Sequence, residues 1–166
     1  MTKKKIKNRS DLKLDFGCGP NKHTGYFGID SVKYSDVDLV WDLEKTPYPL
    51  LSECSGTAIA SHIVEHIEPH GGIFLKVMDE WWRLLKFNGK LEIITPYAGS
   101  KNYYMDPTHC NPCNELTWIY FDPHDLNSNG FFWRIYKPKP WKIVELSWNV
   151  KGNIKVILQK RKIIPP

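Results

Sequence analysis

Two glycines and two aspartates near the start of the chain are the first residues with an evident chemical use. Asp15-Phe16-Gly17-Cys18-Gly19 closes an alternating segment, Leu12–Phe16. Glycines one residue apart let a backbone turn sharply and let a ligand approach with no Cβ in the way. A second segment, Tyr26–Asp30, ends on a carboxylate eleven residues after Gly19. An ionised carboxylate at a strand tip accepts hydrogen bonds from both hydroxyls of a ribose. Read locally, Asp30 is a turn or cap residue after Gly28-Ile29. The spacing speaks against a nicotinamide or flavin dinucleotide site. That fingerprint needs a small residue where Lys22 stands, and its acidic residue follows only after about 20 residues and a full helix.

The histidines and cysteines give further candidates. His62 follows the apolar segment Thr57–Ser61, and His66 lies four residues on, so the two share a face if the turn is helical. His62, His66, His109 and Asp106 are side chains able to take a proton from a hydroxyl or ammonium acceptor. For His66 the plainer reading is a packing or capping histidine. Cys110 and Cys113 have metal-ligand spacing, with His109 or His124 as further donors. A structural zinc site usually wants four ligands and a second paired set, which the chain lacks, so the expectation is two loop thiols and no metal.

The elements that must position these residues follow from periodicity. Leu12–Phe16, Tyr26–Asp30, Val37–Trp41, Thr57–Ser61 and Leu91–Pro96 read as strands. Thr57–Ser61 has the pattern of a strand buried on both faces. Apolar residues from Ile73 to Lys86 fall at helical spacing, with Asn88-Gly89 as the stop. Residues 97–140 are irregular and aromatic, with one helix near Asn114–Phe121; such a stretch serves as a lid or binding loop. Ile143–Val150 and Ile154–Lys160 flank Lys151-Gly152-Asn153 as a hairpin. Strand–helix alternation predicts an α/β fold, a parallel sheet with helices on its faces. The expected organisation is one domain over 1–166, with a basic tail at 1–11 and an acceptor region at 97–140.

Four segments in register resemble a known family. Leu14-Asp15-Phe16-Gly17-Cys18-Gly19-Pro20 with Gly28-Ile29-Asp30 resembles the first motif and acidic ribose anchor of class I S-adenosylmethionine (SAM)-dependent methyltransferases. Ser61-His62-Ile63-Val64-Glu65-His66-Ile67 resembles the segment after their fourth strand. Trp82-Arg83-Leu84-Leu85-Lys86-Phe87-Asn88-Gly89-Lys90-Leu91 resembles the approach to their fifth, and Asp106-Pro107-Thr108-His109 a segment of small bacterial members with a very short first crossover. The resemblance implies a Rossmann-like, mainly parallel seven-stranded sheet ending in an antiparallel hairpin, and methyl transfer from SAM. It places Asp15, Gly17, Cys18 and Gly19 at the methionine end and Asp30 at the ribose. Asp42 and Leu43 come to the adenine, and Ser61 and His62 border the methyl-transfer cavity. His62, His109 and Asp106 become the candidates for catalysis.

Composition limits the other classes. With 166 residues, 42% hydrophobic and 25% charged, the chain suits one globular domain and is neither fibrous nor disordered. Its longest apolar runs are far short of the roughly 18 residues of a membrane helix. The basic start is not followed by the apolar stretch of a secretory signal, and four cysteines need no pairing in a core of this size, so the expected location is cytoplasmic. The net charge of +5 gathers at the ends, in Lys3–Arg9 and Lys160–Lys162. Basic ends either solubilise or attract nucleic acid. The expected acceptor is a small molecule, a sugar or a nucleotide. A SAM-binding protein without transferase activity and a nucleic-acid-binding module stay open as alternatives.

Overall fold

A computed structural model describes residues 11–125 and 130–162. Seven strands form one sheet in the order β3-β2-β1-β4-β5-β7-β6. β1 (Leu12–Phe16), β2 (Phe27–Asp30), β3 (Leu39–Val40), β4 (Ser55–Ser61) and β5 (Leu85–Pro96) are parallel. β6 (Trp141–Trp148) and β7 (Asn153–Lys160) form a hairpin, with β7 antiparallel to β5. This is the expected α/β sheet with its terminal antiparallel pair. The chain runs outward in one direction from β1 to β3 and in the other from β4 to β5. Ligands of open α/β sheets bind where the order reverses, outside the carboxyl ends of the strands.

The helix read between the fourth and fifth strands is present, and the shorter crossovers hold none. Residues 17–26, 31–38 and 41–54 connect the first four strands without a helix. Only the β4–β5 crossover holds a long one, α1 (Ile73–Leu84), entered through short 3₁₀ turns at Val64–His66 and His70–Gly72. Phe74, Val77, Met78, Trp81 and Leu84 form its buried stripe. Trp81 stacks on Phe16 of β1, with ring centroids 4.6 Å apart and planes 8° from parallel. Its Nε1 donates to the Tyr48 hydroxyl at 3.1 Å, which donates to the Leu43 carbonyl at 2.7 Å. Buried Glu80 accepts from the Tyr48 N–H at 2.7 Å and from Arg83 at 2.6 and 2.8 Å. A helix-free connection is thus tied under α1 by aromatic stacking and a satisfied ion pair.

The two faces of the sheet differ. In register across the strands, Leu14, Ala58, Leu91 and Leu158 form one buried row, and Phe16, Ala60, Ile93 and Val156 the next. The alternate rows carry Lys13, Thr57, Lys90 and Gln159, then Glu92 and Ile157, all exposed or half-buried, beside buried Asp15 and Ile59. β4 is therefore not buried on both faces along its length. Lys155 bridges Glu92 at 3.2 Å and Glu145 at 3.7 Å on this second face.

Asn88-Gly89 does not cap α1. The helix ends at Leu84, where Leu85 turns extended, and Asn88 takes a left-handed φ of 62° inside an irregularity of β5. A Cβ on Gly89 would lie 2.8 Å from the Lys86 carbonyl. Among the described residues of 97–140 there are three short helices rather than one: α2 (Lys101–Met105), α3 (Glu115–Ile119) and α4 (Phe131–Tyr136). Asn114 caps α3 by a reciprocal capping box with Thr117. Trp118 and Phe121 are core residues, and Phe121 meets Phe74 edge-on at 5.8 Å.

The basic ends divide. The N-terminal basic residues lie outside the described residues. Lys160 is buried, with its ammonium 3.9 Å from the Trp82 ring centre and 2.7 Å from the Leu85 carbonyl. Arg161 donates to the Trp141 carbonyl at 3.0 Å and to Asp122 at 3.3 Å. Both cations hold the last strand in place, so they are not free solubilising charge.

Candidate functional site

The turn after β1 requires glycine. Gly17 has φ of 66°, and a Cβ there would lie 2.5 Å from Ile63 Cγ1. Gly19, with φ of 54°, donates its N–H to Asp30 Oδ2 at 2.8 Å. Asp30 Oδ1 accepts from the Val32 N–H at 2.8 Å. Each carboxylate oxygen keeps a further lone pair for a hydroxyl donor. Asp30 thus serves as turn residue and leaves acceptor capacity at the strand tip. Lys22, which breaks the dinucleotide pattern, donates to Asp38 at 2.7 Å, and Asp38 also accepts from the Gly28 N–H at 3.0 Å. A Cβ at Gly28 would strike Cys18 Sγ and Lys22 Cδ, each at 2.6 Å. These contacts fold the helix-free crossover onto the sheet.

A cavity of about 180 Å³ opens at these strand ends. Gly17, Asp30, Ser31, Asp42, Leu43, Glu44, Ile63, His66 and Ile67 line it. Five residues singled out in the sequence meet here: Gly17, Asp30, Asp42, Leu43 and His66. Asp42 Oδ1 accepts from the Glu44 N–H at 3.0 Å and Oδ2 stands 3.4 Å from Lys45 Nζ. Leu43 is a buried wall residue.

Other candidates do not line this cavity. Asp15 is buried and accepts from the His23 backbone N–H at 2.8 Å and contacts the His23 ring at 2.9 Å. Burial, with the charges of Asp15 and Asp30, pushes the Cys18 thiol up to about 11. Ser61 ends β4, half-buried. His62 has a left-handed φ of 54°, its Nδ1 is 3.3 Å from Glu65 Oε1, and its Nε2 is 3.4 Å from Asn153 Nδ2. The Glu65 contact raises the His62 imidazole above its ordinary value against the opposing effect of burial. Asp106 accepts from the Thr108 hydroxyl at 2.7 Å and N–H at 2.8 Å, which hold its carboxyl below the usual range. His109 has a largely buried side chain, with Nδ1 2.7 Å from the Tyr103 carbonyl.

Several participants were missed in the sequence or read there in a plainer role. His66 lines the cavity rather than only packing, its ring edge-on to His109 at 4.7 Å. Glu65 was an anonymous residue of a motif, yet it is buried and accepts from the Thr95 hydroxyl at 3.0 Å. His23 and Ile63 sit in loops without periodicity. Cys110 is exposed while Cys113 is buried, so they are not two equivalent loop thiols.

No model of a protein family matches the chain, and no curated protein does. Solved structures do. A SAM-dependent methyltransferase from Archaeoglobus fulgidus matches with a TM-score of 0.62 at 16% identity, over 93% of this chain and 88% of that one. The 1,6-didemethyltoxoflavin-N1-methyltransferase of Burkholderia thailandensis, solved with 1,6-didemethyltoxoflavin and S-adenosylhomocysteine, matches at 0.61 and 13%, over 93% and 72%. A 16S rRNA (adenine(1408)-N(1))-methyltransferase from Catenulisporales acidiphilia, solved with SAM, matches at 0.57 and 12%, over 99% and 91%. The chain has the fold of the class I SAM-dependent methyltransferases. Fold alone does not fix an activity. Among the described residues no helix is long and apolar enough to cross a membrane.

Proposed function

We propose that the chain is a methyltransferase that binds SAM at the ends of β1, β2 and β3 and passes its methyl group to a small-molecule or nucleotide acceptor. The observation that carries this reading is the convergence of a glycine-only turn, a strand-tip carboxylate and the Asp42-Leu43 pair on one cavity. At Gly17 the place of a Cβ is taken by Ile63, and at Gly19 nothing stands within 4 Å of it, so a ligand can lie against the backbone of that second glycine.

In this reading the spare lone pairs of Asp30 take the ribose hydroxyls. Leu43 packs against the adenine and Asp42 accepts from its amino group. Asp15, Cys18 and Gly19 shape the methionine end, with Asp15 held by His23. When bound, SAM supplies an electrophilic methyl on a good leaving group. The chain's own work is then to orient the acceptor in line with that methyl and to exclude water, a contribution of up to about 7–11 kcal/mol in the best cases. Ser61, His62 and Ile63, at the end of β4 and just beyond it, border the side from which an acceptor enters. His62, His109 and Asp106 are the groups available to orient it or take its proton. The fold neighbours include enzymes named for a heterocycle and for an rRNA adenine, so the fold accommodates acceptors of both kinds.

The test is calorimetric titration with S-adenosylhomocysteine. The expected result is one site per chain, with binding lost in Asp30→Ala and retained in Val150→Ala, a fully exposed position in the hairpin turn. Absence of binding in the unaltered protein overturns the proposal. Binding without methyl transfer to any acceptor pool points to a SAM-binding protein that is not an enzyme.

A further inference from the structure

Beside the cavity, three side chains able to ligate a metal come together. Ligand atoms of Glu65, His66 and His109 lie within 4.8 Å of one another. The two segments that carry them are stitched together by the backbone. The N–H groups of Cys110 and Asn111 both donate to the Glu65 carbonyl, at 2.9 and 3.0 Å, and Asn111 Nδ2 donates to the Val64 carbonyl at 3.0 Å.

The hydrogen bonds around the cluster fix which atoms remain available. His109 Nδ1 faces a carbonyl, which can only accept, so Nδ1 carries the proton and Nε2 keeps its lone pair. The Thr108 hydroxyl donates its one proton to Asp106 and must therefore accept from His66 Nδ1, 3.1 Å away. That leaves His66 Nε2 with its lone pair as well. A histidine ligand oriented by a carbonyl or hydroxyl at its other nitrogen is the usual arrangement around a bound metal. Glu65 supplies the independent sign. Its side chain is 1% exposed, Oε2 is taken by Thr95, and Oε1 has no hydrogen-bond partner, only the looser contact with His62. The loose His62 contact leaves this buried oxygen short of a well-formed donor and with lone-pair capacity for a cation. Asp106 Oδ2, 4.0 Å from His109 Nε2, stands at the rim.

We propose that Glu65, His66 and His109, with Asp106 at the rim, bind one divalent transition-metal cation whose open position accepts an oxygen ligand from the neighbouring cavity. Two imidazoles and one or two carboxylates suit zinc, cobalt or iron(II) better than calcium or magnesium. Bonds of about 2.0–2.2 Å require the donors to draw closer by side-chain rotation. His66 belongs both to the cluster and to the cavity wall, so the cation reaches that space. The cation site stands without the SAM reading.

The experiment uses EDTA-treated protein titrated with zinc by calorimetry and with cobalt(II) by visible absorption. One ion per chain is expected. Glu65→Gln, His66→Ala and His109→Ala each abolish it, and Thr108→Val weakens it by roughly 10–100-fold. His124→Ala and Cys110→Ser leave it intact. If a ligand variant does not fold by circular dichroism, Thr108→Val and His109→Gln decide the matter. Acetohydroxamic acid is expected to shift the cobalt spectrum. An unchanged spectrum overturns the open position. Absence of stoichiometric binding, survival of binding in His109→Ala, or its loss in Cys110→Ser overturns the site. S-adenosylhomocysteine titrated into the same ion-free samples keeps the two proposals separate. Cofactor binding without metal binding sinks only the cation site, and the converse sinks only the SAM reading.

Discussion

On the face of the sheet under α1, Leu14, Phe16, Ala58, Ala60, Leu91 and Ile93 are almost wholly enclosed, with Trp81 stacked on Phe16. On the other face the same strands carry Lys13, Thr57, Lys90 and Glu92, which meet solvent to varying degrees. Parallel sheets ordinarily have both faces covered, because the crossover helices fall on both. Here the first three connections contain no helix, so among the described residues the second face carries mostly polar side chains and a charge ladder beside buried Asp15 and Ile59. Stability is thereby concentrated in one layer. The connections freed from making helices instead fold over the strand ends and build the cavity.

Four measurements sharpen or break this contrast. The largest difference should appear in thiol reactivity. Cys54 and Cys113 are enclosed, and burial pushes the Cys113 thiol up to about 12, so its reactive thiolate is scarce at mildly alkaline pH. Exposed Cys110 should react with a thiol reagent alone and quickly, and the other three only on unfolding. Rapid labelling of Cys113 would show that the covered layer opens readily.

The next effect is on stability. Trp81→Ala removes the stacking partner of Phe16 and the donor to Tyr48. It should cost about 3–5 kcal/mol in chemical denaturation. A loss under about 1 kcal/mol would remove α1 as the main stabilising layer.

The third compares two turn glycines. Both Gly17→Ala and Gly19→Ala force a left-handed residue, at a cost of about 1–2 kcal/mol. Only at Gly17 does the new Cβ meet Ile63; at Gly19 it meets nothing. Gly17→Ala should therefore lower the melting temperature more, and S-adenosylhomocysteine affinity with it. Equal effects would mean that Ile63 does not pack on the turn as described.

The smallest effect is expected on the open face. Lys155→Ala removes both ion pairs of the ladder, yet exposed pairs contribute at most about 1 kcal/mol, and less in high salt. A cost approaching that of Trp81→Ala would show that this face is not the weaker layer.

The strands were legible because alternation and glycine stops are local. β1 is observed at its expected bounds, Leu12–Phe16, and β2 and the hairpin lie within two residues of theirs. Asn88-Gly89 misled because a left-handed Asn serves a strand irregularity as well as a helix end, and only the pairing of Leu85 with Ser55 chose between them. Cys113 looked like its neighbour Cys110 because spacing carries no information about depth. Lys160 read as tail charge because nothing in the sequence shows that Trp82 and the Leu85 carbonyl wait for its ammonium.

Local pattern was enough for the succession of strands along the chain, the amphipathic helix and the glycine turn that precedes an acidic strand tip. Each of these is set by the conformational preferences of neighbouring residues. The family resemblance already implied that Asp42 and Leu43 join Gly17 around one ligand; it took the tertiary structure to show that His66 lines that cavity and that Glu65, His66 and His109 converge. Those side chains are brought together by strand order and by backbone hydrogen bonds between segments far apart in the chain. Periodicity is a short-range property, and it cannot encode which loops meet above the sheet.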